Sequence, residues 1–65
     1  MIRPAVRARL RTLTRNACRA RARGAIREAL DLESARDAVL ATLRGDEKTE
    51  AEDLVLALEI SAQFD

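Results

Sequence analysis

Nine arginines and no acidic residue occupy positions 1–27, yet the apolar residues of that stretch recur at helical spacing and keep clear of them. At 100° per residue, Ile2, Val6, Leu10, Leu13, Ala17, Ala20 and Gly24 fall within a stripe about 80° wide, and every arginine lies outside it. Such a segment is an amphipathic helix that must dock on something. Alanine, leucine and arginine favour helix, and Pro4 suits a first helical turn. We therefore expect a helix A from Pro4 to about residue 30. Its second half is lined by Ala17, Ala20 and Gly24, small residues that let another helix approach closely.

The stripe loses phase after Gly24, because Arg27 and Asp31 come next on that face. A second stripe runs through Ala25, Ala29, Leu32, Val39, Leu40 and Leu43, with Arg36 intruding. A kink or break is expected between Gly24 and Ser34. Asp31 and Ser34 are both capable N-caps, which places helix B at about residues 32–44. Gly45 is the expected stop of helix B, and Asp46-Glu47-Lys48 a polar turn. Thr49-Glu50-Ala51-Glu52 has the form of a capping box, which starts helix C at Glu50 and carries it to about residue 62. Ala51, Leu54, Val55, Leu58 and Ala62 form its main apolar face. Leu56, Ile60 and Phe64 lie nearly opposite, as a second surface for a neighbour.

Length limits how much of this can be buried. A chain of 65 residues buries only about 60% of the surface its unfolded form exposes. It has no Trp or Tyr, a single Phe64, a single Cys18 and no His, so neither a disulfide framework nor a zinc site compensates. The expected fold is all-α: a small three-helix bundle or helix-loop-helix protein, one domain over residues 1–65, completed by dimerisation.

The net charge of +1 conceals a division: +9 over residues 1–27 and −8 over residues 28–65. Arginines at i, i+4 along helix A (Arg3, Arg7, Arg11, Arg15, Arg19, Arg23, Arg27) repel by roughly 0.2–0.5 kcal/mol per pair, and cations at a helix N-terminus oppose the macrodipole. An anion is expected to relieve this. Arginine's planar fork also suits bidentate contact with phosphate or carboxylate. The expectation is a small nucleic-acid-binding protein that sets Arg3, Arg7, Arg11, Arg15, Arg19 and Arg23 against the phosphate backbone of DNA or structured RNA. With Phe64 as the single aromatic residue and none among the arginines to stack bases, double-stranded or folded targets are favoured over single strands. The alternative is a non-catalytic interaction module whose basic helix docks on an acidic partner or on its own acidic half. An arginine-rich, acid-free N-terminus also fits a mitochondrial presequence, although the alanine-rich face and scarcity of Ser suit one poorly.

Catalysis is not expected, since no His or Tyr is present to act as acid or base near neutrality. Cys18 stands among Arg15, Arg19, Arg21 and Arg23, which would favour its thiolate if it were exposed; otherwise it is a small side chain at the stripe's edge. The acids Asp46, Glu47, Glu50, Glu52 and Asp53 offset the dipole of helix C and lack the spacing of a calcium loop. Neither a metal nor a cofactor is expected. Arg3, Arg7, Arg9 and Arg11 interrupt any signal-peptide apolar segment, and no run approaches about 20 apolar residues. A lone cysteine fits a reducing compartment, so a cytoplasmic location is expected.

Two stretches resemble archaeal-type histones: Pro4-Ala5-Val6-Arg7-Ala8-Arg9-Leu10-Arg11 is similar to their first helix, and Gly45 followed by Ala51-Glu52-Asp53-Leu54-Val55-Leu56-Ala57 to their second loop and last helix. The resemblance implies short, long and short helices, with Thr14-Arg15-Asn16 as a loop and residues 17–44 as one central helix. It further implies dimers that bind DNA backbone, here through Arg15, Arg19 and Lys48. The Ala51–Ala57 stretch is similar as well to the helical domain of tRNA-modifying GTPases.

Overall fold

The computed structural model describes residues 1–64 and contains three helices: α1 (Pro4–Ala22), α2 (Ile26–Ala41) and α3 (Gly45–Gln63), with no strand among the described residues. The fold is all-α, a three-helix bundle with principal extents of 34 × 23 × 16 Å. α1 is the shared element: it packs against both other helices, which scarcely touch one another.

α1 opens with extended Arg3 and Pro4 at its first position, where the missing N–H costs nothing. It stops eight residues short of the expected end. Gly24 adopts φ 82°, and the Ala25 N–H donates to the Ala20 carbonyl (2.8 Å) while the Gly24 N–H donates to that of Arg21 (3.1 Å). These two bonds are the Schellman pair that satisfies the last carbonyls of a helix. The break therefore lies at Arg23–Ala25, the early end of the expected interval, and α2 begins at Ile26. Asp31 and Ser34, read as N-caps, are interior residues of α2. The continuous 17–44 helix implied by the histone resemblance is interrupted at the same turn, and Thr14-Arg15-Asn16 is helical rather than a loop.

Further boundaries shift at the next connection. α2 ends at Ala41, where the Thr42 hydroxyl donates to the Val39 carbonyl (2.7 Å). Gly45 does not terminate α2; at φ 61° it starts α3. The capping box at Thr49 is not formed, because helix already exists there. Instead Thr49 Oγ1 donates back to the Gly45 carbonyl at 3.4 Å. Asp46 and Glu47 supply the first-turn acids that complement the dipole, which accounts for the additional turn.

The core has two zones. Where α1 and α3 begin, Ile2, Leu10, Ala51 and Val55 are buried, with Val6, Val39, Leu40, Leu43 and Leu54 packed against them. Toward the C-terminal end of α1 the buried residues are Ala17, Ala20 and, from α2, Ala29. Small side chains there allow close helix approach and contribute little apolar area of their own. Thr14, outside the expected stripe, is 0% exposed, because contact on two sides widens the buried arc of α1. Arg36, the intruder in the second stripe, is accommodated by ion pairs: its guanidinium lies 3.5 Å from Glu59 of α3 and 3.1 Å from Asp37.

Candidate polyanion interface

A spacing of four residues advances about 400° around a helix, so each successive arginine is displaced by about 40° and rises about 6 Å. From Arg7 to Arg23 the row therefore turns through about 160°, and it cannot present one face. The structure divides it accordingly. Arg7 reaches Glu50 on α3 at 3.0 Å, and Arg23 pairs with Glu28 across the α1–α2 turn. Arg21 makes a two-pronged contact with Glu33 of α2, 2.5 Å from Nε and 2.8 Å from a terminal nitrogen. That contact holds the Glu33 carboxyl below the ordinary glutamate value and raises the Arg21 guanidinium further.

Arg11, Arg15 and Arg19 follow one another on the outer side of α1, exposed, with no carboxylate within 4.0 Å among the described residues. Arg3, Arg9 and Arg27 are likewise exposed and without an ion pair among the described residues. Of the six arginines expected to contact phosphate, the structure groups Arg11, Arg15 and Arg19, sets Arg3 apart at the other end, and commits Arg7 and Arg23 to internal pairs.

Arg15 and Arg19 also edge a groove of about 540 Å³ between α1 and α3, shared with Cys18, Leu58, Ser61 and Ala62. It joins the C-terminal halves of both helices, which run in the same direction. A second hollow of about 410 Å³ at the opposite end joins Arg3 to Arg44, Val6 and Glu47. Arg44 is a cation that sequence reasoning missed, since no spacing relates it to α1. Cys18 is half-buried, and its thiol is pushed up by burial and then by Glu59, with Arg36 opposing. The exposure that a thiolate would need is thus not met: Cys18 is a small, half-buried side chain at the stripe's edge, where burial and Glu59 outweigh Arg36 and Arg21.

Leu56, Ile60 and Phe64 lie on the exposed side of α3, at 58%, 47% and 84% exposure. Among the described residues no three acids or cysteines gather as a metal site, and no helix is long and apolar enough to cross a membrane. No protein-family model matches the chain, and no curated protein or solved structure shows significant similarity to it.

Proposed function

We propose that the chain is a non-catalytic, self-associating nucleic-acid-binding protein of the cell interior, which lays Arg11, Arg15 and Arg19 along the phosphate backbone of double-stranded DNA or folded RNA. The observation that carries this reading is that the row is exposed and has no ion pair among the described residues, while acids of α2 and α3 take other arginines. Two i, i+4 repulsions, Arg11/Arg15 and Arg15/Arg19, are left without internal relief. Phosphates offer relief at suitable spacing: the row extends about 12 Å, against about 3.4 Å of axis per phosphate on one strand.

Binding of a short duplex DNA and a structured RNA, followed by fluorescence anisotropy, tests the proposal. Three phosphate contacts give a salt slope near −2.7, or about 40-fold weaker binding at 200 mM than at 50 mM salt. Absence of binding to both at low salt contradicts it.

A second reading, basic-to-acidic docking within the chain or onto an acidic protein, is favoured by the pairs Arg7–Glu50, Arg21–Glu33 and Arg23–Glu28. These pairs are largely exposed, and such pairs contribute about 0–1 kcal/mol each. Docking of the two halves thus occupies one part of the arginine set and leaves the outer row for another anion.

A further inference from the structure

The space between α1 and α3 is filled at one end of the pair and open at the other. Where the two helices begin, Leu10, Ala51 and Val55 pack into it. Toward their C-terminal ends α1 contributes Cys18 and Ala22 and α3 contributes Ser61 and Ala62, side chains too short to close it, and a groove of about 540 Å³ remains. That volume is in the range of clefts that hold small organic groups. The lining is two-sided in character. Leu58 gives it an apolar wall, and Arg15 and Arg19 form a cationic edge, one turn or about 6 Å apart, with no carboxylate within 4.0 Å among the described residues. None of the residues that line the groove is acidic. Glu59, whose charge reaches Cys18, is paired with Arg36 at 3.5 Å.

We infer that this groove takes one unpaired nucleotide of a folded nucleic acid, with its base against Leu58 and its two flanking phosphates on Arg15 and Arg19. This rests on the phosphate-binding reading above and names the feature of the target that the site prefers. Groove and arginine row are one continuous surface, because Arg15 and Arg19 belong to both, and Arg11, one turn earlier, extends it toward the phosphates of an adjoining stem. The occupant must bring anions and an apolar plane together. An unpaired nucleotide does so, with a phosphate on either side of one base. A long-chain carboxylate brings a single charge to two cations, and a groove confined to residues 15–22 of α1 and 58–62 of α3 is a short seat for another helix. No aromatic ring lines the groove, so the base is held by aliphatic contact and by guanidinium stacking, which serves splayed-out bases as well. The Ser61 hydroxyl both donates and accepts, so it can meet the edge of any base. Extruding a base from an intact duplex costs a few kcal/mol, and a nucleotide that is already unpaired avoids most of that cost. A bulged nucleotide beside a stem is therefore favoured over a fully paired duplex.

Fluorescence anisotropy with the full chain tests this, using a fully paired RNA hairpin, the same hairpin with one bulged nucleotide, and the DNA versions of both. The bulged form should bind about 10-fold tighter than the paired one, near the lower end of what stacking on an aromatic ring supplies. A gain in either series upholds the inference, and the series that shows it identifies the sugar. An abasic bulge should lose the gain. Ala62→Leu, which fills the groove, should make paired and bulged hairpins bind equally; Ala22→Leu, at an exposed position, should do the same and serves if Ala62→Leu disturbs folding. Cys18 is the only cysteine, so its alkylation by N-ethylmaleimide reports on this groove alone, and at equal saturation the bulged hairpin should slow it more than the paired one. Failure of every hairpin to bind overturns the phosphate-binding reading itself. Equal binding of paired and bulged hairpins in both series, or a gain that survives the abasic bulge or both filling variants, overturns the groove inference alone. Protection of Cys18 by an acidic helical peptide or a long-chain carboxylate, with none from the bulged hairpin, overturns the nucleotide as its occupant.

Discussion

Alanine at position 24 would place its Cβ in open space, with nothing within 4 Å, yet the backbone there is held at φ 82°. The cost of Gly24→Ala is therefore conformational, about 1 kcal/mol, which corresponds to a melting temperature lower by about 4–8 °C in a domain of this size. An unchanged melt would mean that the α1–α2 turn relaxes freely. Thr14 argues in the opposite direction. Its hydroxyl is fully buried and makes no hydrogen bond, although a helical threonine can usually reach a preceding carbonyl. Thr14→Val keeps the shape and removes the orphaned group, so stability should rise by about 1 kcal/mol in chemical denaturation. Glu33 gives the fold an acid dependence. Its carboxyl is held below the ordinary value, so the unfolded chain takes up a proton first as pH falls. The stability from Arg21–Glu33 is full above the unfolded value near pH 4.3 and is lost as pH drops through the lower folded one. Thermal melts between pH 6 and 3 should fall less steeply in Glu33→Gln than in the wild type.

Among the elements, the faces of the helices were more legible in the sequence than their ends. The stripe of α1 and the two-sided character of α3 follow from periodicity, because burial repeats with the helical turn. The ends depend on single turns of backbone. Gly24 was visible as the point where the stripe loses phase, but nothing in the spacing said that its left-handed φ would close α1 there rather than several residues on. At α3 the Thr49-x-x-Glu52 pattern was locally sound and still lost to a helix that begins at Gly45, five residues before the expected Glu50, with Asp46 and Glu47 at its dipole. Thr49→Ala should consequently cost less than about 0.5 kcal/mol, where loss of a working N-cap costs about 0.5–2 kcal/mol. A larger loss by urea denaturation would restore the capping box. The buried arc of α1 was read too narrowly because a stripe assumes one partner, and α1 has two. The pairing of the arginines was hidden for a related reason: i, i+4 spacing was visible, whereas the carboxylates that reach Arg7, Arg21 and Arg23 come from residues 5 to 43 positions away.

On the scale of the whole molecule, the opposed charges of the two halves are only partly spent on each other. Folding pairs three arginines of the first 27 residues with α2 and α3 and leaves the outer row of α1 without an acidic partner among the described residues. The central claim is that binding belongs to that row rather than to positive charge in general. Two charge-matched variants separate these possibilities: Arg11→Gln/Arg15→Gln/Arg19→Gln removes unpaired arginines, and Arg7→Gln/Arg21→Gln/Arg23→Gln removes paired ones, each lowering the net charge by the same amount. The most direct measurement is the affinity of both variants for one duplex DNA and one structured RNA at 50 mM salt, below their melting temperatures. The account predicts that the first loses at least about 150-fold in affinity, at about 1 kcal/mol or more for each of three charge-assisted contacts, and melts like the wild type, while the second melts earlier and keeps most of its affinity. Equal losses in the two variants would contradict it.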